Sequence, residues 1–224
     1  MKTSLIFLTL NEVKSLEEMY NQVPNKESFH EILLVDGGSK DGTIELAEKL
    51  GMKVVRQKES GRGRGFYEGM LAAEGDILIY FSPDGNEDPR EIPLMIKKIE
   101  DGYDMVIASR FMSQSESKDV TFIRKIGNKS YSVLTNLVFG TRLKDAVNGF
   151  RAIRKDMMQK LDVQSKRFDI EMEMTVKVLK LKGKITEVPT TEPERIEGQS
   201  RLRTFYDGWL IYKRFLKSLK YKEK

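Results

Sequence analysis

The chain has 224 residues, 39% of them hydrophobic and 33% charged, a composition that excludes a disordered or fibrous chain and suits one α/β domain plus an appendage. It contains no cysteine, which excludes disulfides and thiolate metal sites, so a metal must be held by oxygen ligands. The formal net charge of +5 suits an anionic partner: a nucleotide diphosphate, an anionic membrane surface or nucleic acid.

In chain order, Met1 to Leu10 carries a short apolar run that stops at Asn11 and Glu12 without a small-residue cleavage site. It reads as a first strand, Ser4 to Leu8, and not as a signal peptide. Helical periodicity follows over Val13 to Gln22. The alternation repeats through Glu31 to Val35 and Thr43 to Leu50, Lys53 to Arg56 and Gly65 to Glu74, Asp76 to Phe81 and Arg90 to Glu100, and Asp104 to Ser109. Strands separated by helices predict a mostly parallel sheet covered on both faces. In such sheets ligands gather at the carboxyl ends of strands, so the chemistry is expected after Leu8, Val35, Phe81 and Ala108. No stretch reaches the roughly 20 apolar residues of a membrane span.

Met112 to Asp119 reads as a mobile polar loop, Phe122 to Phe139 as a helix, and Asp145 to Arg154 as a turn and short strand. Phe168 to Leu181 reads as a helix and Lys184 to Thr190 as a strand. From Thr204, residues Phe205, Trp209, Tyr212, Phe215, Leu216 and Leu219 recur at helical spacing among Lys and Arg, giving a basic amphipathic helix. The expected organisation is a domain over 1–203 and a C-terminal helix over 204–224.

Four segments carry possible chemistry. Val35 to Thr43 sets Asp36 and paired glycines after a buried strand, where the carboxylate can accept from a base or ribose and the backbone can approach a ligand. A turn with a helix N-cap fits it equally. Ser82 to Pro89 crowds oxygen side chains after the strand ending at Phe81. Hard cations such as Mg²⁺ or Mn²⁺ bind few protein carboxylates and share their shell with phosphates, so Asp84 is the natural ligand with Asn86 beside it. An acidic turn before a Pro-initiated helix fits as well. Gly61 to Gly65 has the glycines of a phosphate loop but not the P-loop ending, and a flexible basic turn is the plainer reading. Arg195 to Arg203 surrounds a glycine with cations, as a clamp on a diphosphate would, or as a solvated charge run would.

Together these pieces resemble the family 2 inverting glycosyltransferases of the GT-A fold, in their dolichol-phosphate mannose synthase-like branch. The resemblance rests on Thr9 to Glu12, Val35 to Thr43, Gly61 to Met70, Ala108 to Phe111, Asn148 to Arg151, Phe168 with Glu171, Glu187 to Pro189, Arg195, and Gly198 to Arg201. It implies an α/β fold with a mixed, mostly parallel sheet flanked by helices, and a donor site for a UDP- or GDP-sugar. Thr9, Asn11, Glu12, Asp36, Gly61 and Arg62 would hold the donor, with Asp84 and Asn86 at Mg²⁺ or Mn²⁺ and Arg195 and Arg201 on the diphosphate. Arg110 and Arg151 would sit near the sugar or an acceptor phosphate. Two departures stand out: Ser82 replaces the first acid of an Asp-x-Asp pair, and Gly37 replaces a second aspartate.

The expected reaction is a direct displacement at the anomeric carbon. A hydroxyl acceptor would need a general base, with Asp84, Asp88 and Asp145 as candidates; a polyprenyl phosphate is already anionic and needs none. The leading expectation is transfer of a hexose to a polyprenyl phosphate by a cytoplasmic protein resting on the inner membrane face. Phe122 to Phe139 and the tail helix would touch that surface, or both pack on the domain with Trp209 and Phe215 as core anchors. Transfer to a glycan or small-molecule hydroxyl, and a silent nucleotide-sugar-binding protein, are the alternatives. No nucleic-acid role is expected, because the basic residues are not interleaved with stacking aromatics. His30 is expected to be structural, and a homo-oligomer is left open.

Overall fold

A computed structural model describes residues 1–117, 121–196 and 201–222. The first half alternates β1 (Thr3–Thr9), α1 (Val13–Gln22), β2 (Glu31–Asp36), α2 (Thr43–Lys49), β3 (Lys53–Arg56), α3 (Arg62–Ala72), β4 (Ile77–Phe81), α4 (Ile92–Glu100) and β5 (Met105–Ser109). Next come β6 (Glu116–Ser117), α5 (Phe122–Phe139), β7 (Arg151–Arg154), α6 (Lys155–Lys160), α7 (Ile170–Lys180), β8 (Ile185–Pro189), β9 (Thr191–Glu192) and α8 (Thr204–Ser218).

Among the described residues seven strands form one sheet in the order β3-β2-β1-β4-β7-β5-β8. Its pairings are parallel except those of β7, which is antiparallel to β4 and β5. The strand period of two sends alternate side chains to opposite faces. Leu5 and Phe7 of β1 join Leu16, Met19 and Met95 on one side, and Ile6 joins Phe66, Met70 and Met174 on the other. With both faces buried, β1 and β4 are apolar along their lengths rather than alternating. Phe81 bridges edge-to-face to Phe7 and Phe150 at centroid distances of 5.1 and 5.4 Å, joining β1, β4 and the entry to β7. Because β7 runs backwards, its first residues arrive where β4 and β5 end, so Asn148 and Gly149 enter the same region as the loops after those strands.

The structure departs from the sequence expectations in four places. The Gly61–Gly65 run is not a flexible turn, since α3 begins at Arg62 with Gly61 as its N-cap at φ +148°. A Cβ on Gly61 or Gly63 would collide with the carbonyls of Lys166 and Ser165, so these glycines serve close packing. The polar loop after Met112 contains β6, which pairs parallel with β9, while Lys118 and Asp119 lie outside the described residues. The short α6 follows β7 directly, a helix that the turn-and-strand pattern did not show.

The fourth departure is Trp209. Helix α8 buries Ile211 and Phe215 against Met172 and Val176 of α7, as a stripe at i, i+4 spacing requires. Trp209 is turned off that stripe, stays 55% exposed and stacks on Tyr212. Phe205 and Leu216 share the exposed side with it, and α5 likewise leaves Phe122, Ile123, Ile126 and Leu137 outward. Among the described residues no helix is long and apolar enough to cross a membrane.

Candidate active site

A cleft of about 590 Å³ opens over the carboxyl ends of β1, β4 and β5. Thr9, Asn11, Glu12, Gly61, Arg62, Asp84, Asn86, Arg110, Arg195 and Arg201 all line it. Asp36, Asp145 and Arg151 do not.

At the β1–β2 end, local hydrogen bonds shape the backbone. Asp36 is 1% exposed. Its Oδ1 accepts from the amides of Gly38 and Ser39, each at 2.8 Å, and its Oδ2 from Thr9 Oγ1 at 3.2 Å and from the Ser39 hydroxyl. The carboxylate that sequence reading gave to the nucleoside therefore organises its own turn, leaving Gly37 at the cleft wall. Asn11, at φ +56°, accepts from the Lys40 amide at 2.9 Å, tying the β1 loop to the β2 loop. Glu12 faces the cleft with its carboxyl pushed up to about 7, first by burial and then by Asp84, against the pull of Arg201 and Arg195.

The turn after β4 carries the metal candidates. Asp84 and Asn86 are 8% and 7% exposed, and Gly85 between them turns at φ +92° beneath Ile196. Arg195 Nη1 donates to Asp84 Oδ2, and the Ile196 amide donates to the Asp84 carbonyl at 3.1 Å. A cation already rests on the proposed ligand, so the donor set fits a positive charge. Among the described residues no three acidic or imidazole groups are placed to hold a metal ion between them, so a hard cation at Asp84 would complete its shell from phosphate oxygens rather than from an all-protein cage. Asp88 caps the single turn Pro89–Glu91 and pairs with Arg90 at 2.7 Å, outside the cleft lining.

Deeper in, the cleft is held by ion pairs between distant segments. Arg110 makes a bidentate pair with Asp145, Nε to Oδ2 at 2.6 Å and Nη2 to Oδ1 at 2.9 Å. Asp145 is itself fully buried and its amide donates to Glu187 at 2.7 Å. As a general base it is misplaced: its lone pairs are committed to Arg110 and it does not reach the cleft surface. Arg62 donates from Nε to Glu171 at 2.5 Å and from Nη1 to Ser82 Oγ at 3.1 Å. Burial opposes its charge, but Glu171, Glu87 and Asp84 together more than offset this, holding its pKa above the ordinary value. Gly149 packs against this guanidinium, which a Cβ would meet.

Arg151 is corrected most firmly. It is 0% exposed, donating to the Asn148 carbonyl and to the Glu171 carbonyl at 3.0 Å, and burial lowers its pKa to about 10. It braces β7 against α7 beneath the cleft and touches no ligand space.

Several lining residues escaped the sequence reading. Glu87, one residue past Asn86, has its Oε2 on the Ser82 amide at 2.7 Å. Burial raises its carboxyl to about 8, opposed by Arg62 and aided by Asp84 and Glu192. The crowd of oxygen residues around it was a signal for Glu87. Glu192, Asn128 and Arg167 had none, for each is brought in by tertiary structure alone. At the mouth, Arg124 of α5 donates to Thr204 Oγ1 at 3.1 Å and to the Leu202 carbonyl at 2.8 Å. Arg167 pairs with Asp207 of α8 at 3.1 Å, and Arg201 donates to the Leu10 carbonyl. Glu197, Gly198, Gln199 and Ser200 of the expected clamp lie outside the described residues.

Residues 4–162 match the model of glycosyl transferase family 2. The chain belongs to that family. It is 32% identical over 212 residues to a dolichol-phosphate mannosyltransferase of Pyrococcus furiosus, covering 91% of this chain and 60% of that protein. It is 31% identical over 206 residues to glycosyltransferase AglJ of Haloferax volcanii, covering 91% and 67%. The chain thus spans about three fifths to two thirds of the length of these relatives. The structure superposes on glucosyl-3-phosphoglycerate synthase of Mycobacterium tuberculosis, solved with Mn²⁺, UDP and phosphoglyceric acid, at TM-score 0.80 and 14% identity. That likeness covers 100% of this chain and 80% of that one and carries the fold, which is GT-A.

Proposed function

We propose that this glycosyltransferase-family chain moves a hexose from a nucleoside diphosphate sugar to a polyprenyl phosphate, with inversion at the anomeric carbon. The observation that carries the reading is the state of the acids. Asp145 is locked to Arg110, Asp88 pairs with Arg90 outside the cleft, and Asp84 pairs with Arg195. Of the cleft glutamates, Glu171 pairs with Arg62, Glu192 faces Arg110, and burial raises Glu12 and Glu87 to about 7 and about 8. No cleft carboxyl therefore stands as an unpaired, ordinarily ionised base for a hydroxyl acceptor. A phosphate acceptor brings its own anionic oxygen. The name of the Pyrococcus relative, a dolichol-phosphate mannosyltransferase, supports the same acceptor class.

In this reading the nucleoside lies against Thr9, Asn11, Glu12 and Gly37, with Asp36 shaping the turn rather than touching the base. Asp84 and Asn86 would hold Mg²⁺ or Mn²⁺, which when bound supplies a Lewis acid for the leaving diphosphate. The Mn²⁺ complex of the structural neighbour supports a divalent metal. Arg195 and Arg201 add cationic donors that stabilise the charge developing on the diphosphate. The acceptor oxygen forms the new bond to C1 as the bond from C1 to the diphosphate breaks, and the nucleoside diphosphate leaves with the electron pair.

Arg124 of α5 and Arg167, which pairs with Asp207 of α8, line the cleft mouth, and the same two helices expose Phe122, Ile123, Ile126, Phe205 and Trp209. Cations rimmed by exposed apolar and aromatic side chains suit the headgroup layer of an anionic bilayer. We assign the chain a peripheral position on the inner membrane face, with the lipid phosphate delivered at that mouth.

The test is nucleoside diphosphate release from UDP- and GDP-hexoses, with Mn²⁺ or Mg²⁺, in the presence of a polyprenyl phosphate. Stereospecific glycolipid formation is expected. Transfer only to hydroxyl acceptors, or none from any donor, refutes the reading. In vesicle flotation, replacing Phe122, Phe205 and Trp209 by Ala should abolish binding to anionic vesicles.

A further inference from the structure

Just past β9 the chain crosses the turn that carries the metal candidates, and backbone, side chain and charge all seat it there. Arg195 Nη1 donates to Asp84 Oδ2, and the Ile196 amide donates to the Asp84 carbonyl at 3.1 Å. The Ile196 side chain closes over Gly85, where an added Cβ would fall 2.5 Å from its Cγ1. At the near end of this arm, β9 pairs with β6 and the Thr191 amide donates to Glu91 at 2.9 Å. The ion pair is mostly out of solvent, its side chains being 21% and 12% exposed.

Two cations thus have a claim on one carboxylate. A divalent metal sits about 2.0–2.1 Å from its oxygen ligands, closer than the guanidinium nitrogen of a charge-assisted hydrogen bond at about 2.7–2.9 Å. The two cannot share Oδ2 without bringing like charges together. The other oxygen, Oδ1, already faces the Asn86 amide at 3.4 Å. Position 82 gives no relief, for Ser82 carries no charge and its Oγ accepts from Arg62. Arg201, the second arginine expected at the diphosphate, stands apart from this conflict, since it donates to the Leu10 carbonyl.

We propose that Arg195 is an internal competitor of the divalent metal at Asp84, and that the nucleoside diphosphate admits the metal by drawing the guanidinium onto its own phosphate oxygens. The second half rests on the donor reading proposed above. A metal alone must evict Arg195 with nothing to receive it. A diphosphate offers the guanidinium a paired set of oxygens, which is the stronger class of hydrogen bond. Metal and nucleotide then favour one another by the same factor, as linkage requires.

The experiment measures Mn²⁺ binding to the full chain by calorimetry and by the electron paramagnetic resonance of unbound Mn²⁺. Each chain is titrated with Mn²⁺ alone, then with UDP or GDP present. In the wild type the nucleoside diphosphate is expected to tighten Mn²⁺ by about tenfold or more, within the usual range for coupled sites. R195M is expected to tighten Mn²⁺ alone by about fivefold or more and to cut the coupling to below about threefold. R195K keeps the competing charge and should leave Mn²⁺ alone within about twofold of the wild type. R201M should do the same while weakening nucleoside diphosphate binding. The gain in R195M should vanish when D84N is added, and R195Q repeats the measurement should R195M fail to fold. No gain in R195M or R195Q, an equal gain in R201M, or a gain that survives D84N overturns the competition. A wild type that binds neither nucleoside diphosphate with Mn²⁺ refutes the donor reading instead, and the titrations with Mn²⁺ alone still decide whether Arg195 competes at Asp84.

Discussion

The two ends of the cleft are built by opposite means. At the β1–β2 end, Asp36 gathers the amides of Gly38 and Ser39 within three residues of itself, and Asn11 reaches only the neighbouring loop. At the β5 end, Arg110 and Asp145 are 35 residues apart and Arg62 and Glu171 are 109 apart. The first end is a property of short peptides placed on a sheet. The second exists only when the whole chain has folded, so its acids and bases have no partners until then. Stability should therefore be most sensitive at the far end, and ligand binding at the near one.

The largest effect expected is on stability, from Asp145→Ala. It leaves the guanidinium of Arg110, only 11% exposed, without its bidentate partner, and removing one partner of a buried pair costs about 3–5 kcal/mol. Urea unfolding followed by circular dichroism should show the loss, and a double variant with Arg110→Met should recover much of it. A loss below about 1 kcal/mol would place this pair with ordinary surface ion pairs and erase the contrast between the ends. Next is Asp84→Ala, which should cut transfer by about 10²–10³-fold, the scale for removing one group that stabilises developing charge. Its unfolding midpoint should move little. Metal titration by calorimetry should show weakened Mn²⁺ binding in the same variant.

The same contrast governs what the sequence revealed. Helix α5 was predicted at its observed bounds and β3 likewise, because periodicity is a local signal. That Asp84 and Asn86 line the cleft was legible because a strand followed by an acidic turn is contiguous in the chain, and the cleft position of Glu12 followed from the family resemblance. Arg151 was placed near the sugar or an acceptor phosphate by the family resemblance, and only the packing of β7 against α7 shows that its guanidinium satisfies backbone carbonyls. Glu192 could not be found at all, because its proximity to Arg110 depends on the order of β7, β5 and β8 in the sheet. Trp209 and Phe215 share one helix and one pattern, and the side that packs was decided by α7.

Asp36→Asn gives a smaller effect. An amide keeps one acceptor oxygen but turns a donor toward groups that themselves donate, and hydrogen bonds to a charged group are worth about 1.5–3 kcal/mol. The turn after β2 should loosen, with nucleoside diphosphate affinity falling more than global stability. Calorimetry beside urea unfolding separates the two; an equal fall in both would mean that this end is not locally organised.

The smallest effect should be visible only as a function of pH, at Glu91, which ties α4 to β9 and so supports the strand that carries Glu192. Its Oε1 accepts from the Thr191 amide at 2.9 Å, while its Oε2 is buried and unpartnered among the described residues. Burial is the main cause that raises its carboxyl from 4.5 to about 7, against the pull of the Thr190 hydroxyl and the Thr191 amide. Between those two values the folded chain keeps a proton that the unfolded chain has lost, so stability falls as pH rises through that window and levels off above about 7. Glu91→Gln carries the neutral shape at every pH. Relative to the wild type it should be neutral near pH 4.5 and more stable by on the order of 1 kcal/mol at pH 8. Urea midpoints across that range check it. A stability difference independent of pH would show that Oε2 is solvated, and that the far end of the cleft is not as dry as its ion pairs require.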